Sequence, residues 1–199
     1  MFTYQDKVLS KPIRLIAAAC RNMGIGKDGQ LPWSLPTEFQ FFLDTITAVS
    51  RPGRKNLLIW GRTSWFSTPE SLHPIANSIH AVLSHTLSAV PEHAHYICHD
   101  FDSAVRLAST GPISELVETI WIIGGAEVYR EALEHPWCDL IYLTDVMAEI
   151  DCDTFFPWFD RSIYKLQDEF PGVPSRIQEE NGIRFKFQVF KRDVQQTLL

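Results

Sequence analysis

Short apolar runs alternate along this chain with longer stretches in which apolar residues recur every three or four positions. The runs lie at residues 13–20, 56–60, 78–84, 95–98, 119–123 and 140–144, and their largely unbroken apolar character predicts strands buried on both faces. Between them, residues 37–50 place Phe39, Phe42, Leu43, Ile46 and Val49 near one helical face. Residues 100–110 repeat Phe101, Val105 and Leu107, and residues 126–135 carry Val128 and Leu133. Strands alternating with helices predict an α/β architecture, a mostly parallel sheet covered on both faces. Near the C-terminus the pattern changes to simple alternation. Residues 164–170 and 184–192, joined by Pro171-Gly172-Val173-Pro174 and a polar stretch ending at Asn181-Gly182, read as a long antiparallel hairpin at the sheet edge.

At 199 residues, 45% hydrophobic and 21% charged, the chain has an ordinary globular composition and enough material for one sizeable core. We expect a single domain over residues 13–193, preceded by a flexible extension, 1–12, and followed by a frayed tail, 194–199. The formal net charge of -6 and the lack of a dense Lys/Arg run argue against a nucleic-acid surface, which needs clustered positive charge, and favour a small-molecule partner. Residues 1–12 lack the apolar centre of a signal peptide, and no apolar run approaches the roughly 20 residues that span a bilayer. Cys20, Cys98, Cys138 and Cys152 include no C-x-x-C pair, so neither a zinc site nor a disulfide framework is indicated. Reduced thiols in a cytoplasmic protein are the plain reading.

Directly after the first apolar run stands Gly24-x-Gly26-x-x-Gly29, the glycine spacing of a dinucleotide-binding fingerprint. That reading requires the third glycine to open a helix whose N-terminal N–H groups hold the pyrophosphate. Here Gly29 is followed by Gln30-Leu31-Pro32-Trp33-Ser34-Leu35-Pro36. Each proline pushes its predecessor out of helical space, so the helix can begin only near Pro36, with Ser34 or Leu35 at its cap. The glycines therefore belong to a loop of about a dozen residues, a length that favours a functional lid over a passive connector. At the loop's end Glu38 falls in the first helical turn among Phe39, Phe41, Phe42 and Leu43. An acid among aromatics needs a partner or a task, and this position suits a helix-dipole partner and a catalytic acid equally.

Several blocks together resemble the dihydrofolate reductase family. They are Ala17-Ala18-Ala19 with Asn22-Met23-Gly24-Ile25-Gly26-Lys27, Leu31-Pro32-Trp33, Glu38-Phe39 with Phe42, and Gly61-Arg62-Thr63-Ser64-Trp65-Phe66. Trp121-Ile122-Ile123-Gly124-Gly125 with Tyr129, and Asp153-Thr154-Phe155-Phe156-Pro157, follow in the family's order, so the resemblance runs over residues 14–192. Phe170-Pro171-Gly172-Val173 and residues 178–183 resemble the longer, eukaryotic-type members. The stretch from Trp33 to Glu38 instead has bacterial spacing, one residue shorter than in vertebrate enzymes. The resemblance implies a three-layer fold with a central, mostly parallel eight-stranded sheet, an antiparallel C-terminal edge and helices on both faces. It also implies a monomeric, metal-free reductase that uses NADPH to deliver hydride to a C=N carbon.

By that resemblance Glu38 grips the substrate ring and governs protonation of N5, Trp33 holds an ordered water and closes the lid, and Thr144 hydrogen-bonds Glu38. Hydride addition to C=N builds negative charge on nitrogen, so protonation must precede or accompany it. Desolvation by Phe39, Phe42, Leu31 and Ile123 would raise the Glu38 pKa toward neutrality. Ile16, Ala17, Thr68, Ile75, Ser78 and Tyr129 complete the implied substrate lining. For the cofactor, Gly124-Gly125 allows close backbone approach, and the helix opening with Ala126, Glu127, Val128 and Tyr129 offers N–H groups to the pyrophosphate. Gly61-Arg62-Thr63-Ser64 forms a second such turn, in which Arg62 can pair with phosphate. Ala18, Ile25, Gly26 and Tyr129 fall on the nicotinamide side, and Leu83, Ser84, His85 and His99 at the 2'-phosphate end. There histidines stand where vertebrate members carry arginine. We expect NADPH affinity to strengthen as they protonate, and equal affinity at about pH 6 and about pH 8 would contradict this.

The larger departure is at the substrate's far end. In the family an arginine in a Gly-Arg-x-Asn segment binds the α-carboxylate of folate's glutamate tail. Here the aligned Ala76-Asn77-Ser78-Ile79-His80 puts Ser78 at that position, and Leu43 replaces a polar helper on the first helix. Losing a buried bidentate partner costs about 2 to 5 kcal/mol, and His73 or His80 would replace it only in part, lacking the planar fork of Arg. With both anchors gone, the sequence favours a non-folate heterocycle over 7,8-dihydrofolate: an imine, iminium or hemiaminal of the kind a natural-product pathway supplies. A third reading is a non-catalytic cofactor- or RNA-binding relative, against which the intact Glu38 and the lack of a basic surface speak.

Overall fold

The structure, a computed structural model, describes residues 8–193. Residues 1–7 of the expected extension and the expected frayed tail lie outside the described residues. β1 (Ile13–Ala19) leads through β2 (Gly24–Gly26) to α1 (Pro36–Thr47). β3 (Lys55–Gly61) is followed by α2 (Arg62–Phe66) and a 3-10 turn (Glu70–Leu72), then by β4 (Ser78–Leu83), β5 (Tyr96–Cys98) and α3 (Phe101–Ser109). β6 (Val117–Gly124), α4 (Ala126–Glu134), β7 (Cys138–Val146), β8 (Thr154–Phe155), β9 (Tyr164–Leu166), β10 (Gln178–Glu180), β11 (Ile183–Lys186) and β12 (Val189–Arg192) follow.

The order β7-β1-β6-β3-β4-β5 is parallel throughout, as unbroken apolar runs require. Leu57, Leu58 and Ile59 are all fully buried because successive residues feed opposite cores. One core packs Phe101, Ala104, Val105, Val128 and Ala132 of α3 and α4 against Leu57, Ile59 and Ile122. The other packs Ile46 of α1 and Trp65 of α2 against Ile16, Leu58, Trp60 and Trp121. These are the three expected layers.

The C-terminal hairpin is corrected in detail. Only Tyr164–Leu166 of the first segment pairs with β12; the chain then leaves through the proline-rich stretch, and β10 takes over the edge beside β11. Proline cannot donate to a ladder, so the edge strand breaks there. β11 and β12 both pair with β7 and are interrupted at Phe187 and Gln188, so ten segments occupy the eight expected lanes. Asn181 (φ 52°) and Gly182 (φ 75°) form the tight turn between β10 and β11, where Glu180 pairs with Ile183.

Two further differences concern the N-terminal segment and α1. Leu9 donates its N–H to Ser109 O at 2.9 Å, and Lys11 Nζ donates to the carbonyls of Ser114 and Val117, both at 2.6 Å, so the chain is held from Leu9 onward. α1 starts at Pro36 as expected but ends at Thr47 rather than residue 50, because Ala48 turns extended.

Candidate active site

Register places the C-terminal ends of β3, β4 and β6 side by side, with Gly61 opposite Leu83 and Trp60 opposite Gly124. Carboxyl ends of parallel strands are where α/β sheets bind ligands. Above this edge runs the loop from β1 to α1. Its glycine half is not free: β2 pairs antiparallel with β8, Asp153 N donates to Gly26 O and Asp28 N donates to Asp153 Oδ2, both at 2.9 Å. Ile25 and Gly26 thus lie on a short two-strand flap, a pairing too brief for periodicity to reveal.

Leu35, extended at φ -129°, caps α1 without a side-chain bond, and Pro36 occupies the first turn. This launches Glu38 inward, only 7% exposed. From β7, Thr144 Oγ1 donates to Glu38 Oε1 at 3.1 Å. Ala18 is the β1 residue in register with Thr144, so three elements converge here. Burial pushes the Glu38 carboxyl up to about 7, against which the Thr144 hydrogen bond offsets only part. Trp33 is buried with Leu35, Phe185 and Phe187, and its Nε1 finds no acceptor among the described residues. A buried indole donor without a protein acceptor marks a place for a polar ligand atom or water.

On the expected substrate side, the Phe39 and Phe42 rings sit 5.7 Å apart, and Leu31 is half exposed. Ile16 and Ile123 present their carbonyls to Tyr129 Oη at 2.8 and 2.7 Å, so the single phenolic proton is shared by main-chain acceptors that tie β1 to β6. Burial, with the Glu38 charge, raises the Tyr129 pKa and keeps it a donor. Ala17 packs on the core beneath. Three other expected residues have partners within the protein. Thr68 Oγ1 donates to Ser64 O at 3.0 Å, Ile75 packs with Trp60 and Trp65, and Ser78 Oγ donates to Ala76 O at 2.9 Å.

His80 and His73 are corrected outright as replacements for the missing arginine. His80 is 2% exposed, its Nδ1 accepts from Trp60 Nε1 at 3.0 Å, and burial holds its pKa down to about 3, so it is neutral. His73 stacks on His93 with centroids 4.9 Å apart, and burial also lowers its pKa. The alternation in β4, which places His80 inward with Ser78 and Val82, was the available indication.

Several of the residues expected to hold the cofactor meet where β3, β6 and α2 approach one another. A Cβ added to Gly61 would lie 3.0 Å from Gly125 N and 3.1 Å from Gly124 O, and Gly124 has φ +141° with Ser64 Oγ at 2.9 Å from its would-be Cβ. Only glycine permits this closeness of β3, β6 and α2. α4 follows at once with Gly125 as cap, and among the described residues no side chain caps its first N–H groups, so the cradle fits a diphosphate. Glu127, an apparent misfit there, is paired with Arg130 Nη1 at 2.6 Å, and Val128 faces inward. Because Gly61 pairs with Leu83, Arg62 and Thr63 of α2 leave the same sheet edge as Ser84 and His85. His99 Nδ1 lies 3.1 Å from Ser84 O, while Ser84 Oγ accepts the N–H groups of Thr86 and Leu87.

A family model described as dihydrofolate reductase matches residues 12–192. The chain belongs to the dihydrofolate reductase family. It is 43% identical to the dihydrofolate reductase of Mus musculus over 183 residues, covering 92% of this chain and 98% of that protein. It is 39% identical to the viral dihydrofolate reductase of Saimiriine herpesvirus 2, covering 92% and 85%. The solved Schistosoma mansoni dihydrofolate reductase superposes with a TM-score of 0.81 at 35% identity, covering 93% of this chain and 100% of that one. As a member of the family the chain is an oxidoreductase that uses NADPH and acts on C=N bonds. No helix among the described residues is long and apolar enough to cross a membrane.

Proposed function

We propose that this dihydrofolate reductase family member reduces 7,8-dihydrofolate to tetrahydrofolate, as a monomer in the cytoplasm. The observation that carries the reading is Glu38, buried at the mouth of α1, bonded to Thr144 and pushed up to about 7 by that burial. NADPH, when bound along Gly61, Arg62, Thr63, Gly124, Gly125 and Ala126, supplies the hydride. Glu38 anchors the pterin through its carboxyl and keeps a proton source near N5, which the developing negative charge on that nitrogen requires. Trp33 Nε1 holds the polar group or water through which the proton moves, while the flap built on β2 and β8 excludes solvent.

The non-folate heterocycle favoured by the loss of tail anchors has less behind it. Each of the relatives named above, at 35 to 43% identity over nearly the whole chain, is a dihydrofolate reductase. Absence of the anchoring arginine at Ser78 then weakens the grip on the glutamate tail and leaves the ring chemistry intact. NADPH consumption with dihydrofolate, beside tail-less dihydropterins and cyclic imines, tests the reading: the highest kcat/KM with dihydrofolate supports it, and activity confined to the cyclic imines overturns it.

A further inference from the structure

Two cysteines 132 positions apart in sequence meet at the base of the flap. Cys20 Sγ lies 3.7 Å from Cys152 Sγ, and both side chains are buried. We propose that Cys20 and Cys152 are a redox-active pair that closes to a disulfide and staples the hinge of the flap to the segment leading into β8. Cys20 is the hinge itself: its N–H donates to Gly24 O and its carbonyl accepts from Met23 N, both at 2.9 Å. Cys152 stands two residues before β8, and the next residue, Asp153, is already bonded to Gly26. Gly24 packs so tightly on Cys152 that a Cβ there would collide with the sulfur, which fixes the two thiols against each other. A disulfide needs about 2.05 Å between sulfurs, within reach of side-chain rotation and a small loop shift. Cys98 in β5 and Cys138 at the start of β7 belong to the other core and provide internal controls.

A cavity of about 400 Å³ lined by Arg21, Asn22, Glu149, Ile150 and Asp151, the neighbours of both cysteines, gives a small oxidant an approach. Asn22 Oδ1 accepts the Cys20 thiol at 3.0 Å on this side. Burial and the adjacent Cys20 sulfur push the Cys152 thiol up to about 11, so that thiol rests protonated, and its oxidation waits on the flap opening to water. One thiolate then attacks a peroxide oxygen, the O–O bond breaks with release of hydroxide, and a sulfenic acid forms. The second thiol attacks that sulfur, forming S–S as S–O breaks and water leaves. Overall, two thiols and one hydrogen peroxide give one disulfide and two waters.

The linkage rests on this geometry alone; its effect on turnover rests on the proposed activity with a mobile flap. Full-length protein is treated with hydrogen peroxide, alkylated, digested and mapped by mass spectrometry, with and without NADPH. The expected result is a peptide joining Cys20 to Cys152, a loss of about 2 Da for the two hydrogens removed, and reversal by dithiothreitol. The link is absent from Cys152→Ser and from Cys20→Ser. Oxidised enzyme is expected to lose more than about half its kcat and regain it on reduction, whereas Cys152→Ser keeps its rate through the same treatment. Four thiols still open to alkylation, or only sulfinic and sulfonic products, would overturn the pair. A linked pair with undiminished turnover would overturn the staple, and a reduced enzyme inactive on dihydrofolate would count against the proposed activity instead.

Discussion

Thr144 Oγ1 on β7 donates to Glu38 Oε1 in the first turn of α1, 3.1 Å away and 106 positions earlier in the sequence. That hydrogen bond favours the charged form of a carboxyl whose pKa burial raises. Thr144→Val removes the donor and keeps the shape. We predict that the Glu38 pKa then rises above about 7, by roughly one pH unit for a lost charge-assisted bond, while Thr144→Ser retains the parent value. The pH dependence of hydride transfer in the three proteins reads this directly.

The same carboxyl makes stability depend on pH. Its folded pKa lies above the ordinary 4.5, so the unfolded chain loses the proton first and stability falls as pH rises from about 4.5 to about 7, then levels. The span corresponds to about 3 kcal/mol at roughly 1.4 kcal/mol per pH unit. Urea unfolding of Glu38→Gln at several pH values is predicted to lack this component.

His80 acts in the opposite direction. Its pKa, lowered by burial and then by His73, His95 and His93, means that the neutral form is folded, so stability is full above about 6.5 and is lost as pH falls toward about 3. Trp60 donates to its Nδ1, and Trp65 packs on its ring. His80→Gln is predicted to flatten the acid limb of a stability curve while lowering the plateau by about 1 to 3 kcal/mol for the disrupted buried hydrogen bond.

Gly124→Ala is predicted to abolish NADPH binding more than it lowers stability of the rest of the fold. The added Cβ meets Ser64 Oγ at 2.9 Å on a backbone at φ +141°, which moves the cradle's floor. Fluorescence titration with NADPH should show a loss of at least about tenfold in affinity, and unchanged binding would contradict the assigned cradle.

Ser78→Arg places a guanidinium at the start of β4, where the serine hydroxyl now donates to Ala76 O. The KM for dihydrofolate is predicted to fall about tenfold, with no change for a tail-less dihydropterin. An equal change for both substrates would place residue 78 away from the glutamate tail.

Much of the fold is legible in the sequence. The parallel strands were readable because both their faces are buried, and α1 because Pro32 and Pro36 confine its start. Glu38 stood out as an acid among aromatics, but its partner did not, since Thr144 reaches it only through the register of β7 beside β1. The flap pairing of β2 with β8 and the meeting of Cys20 with Cys152 join positions over a hundred residues apart, and no local spacing encodes them. His80 reads in sequence as a partial stand-in for the missing arginine because its Trp60 partner comes from the adjacent strand.

The most direct test of the account is the pH profile of single-turnover hydride transfer from NADPH to dihydrofolate. The rate is predicted to be flat below about pH 7 and to fall about tenfold per pH unit above it as Glu38 loses its proton, with Glu38→Gln reduced to a small, pH-independent rate despite normal NADPH binding. A wild-type profile with no inflection near neutrality, or a Glu38→Gln variant as fast as the parent, would contradict it.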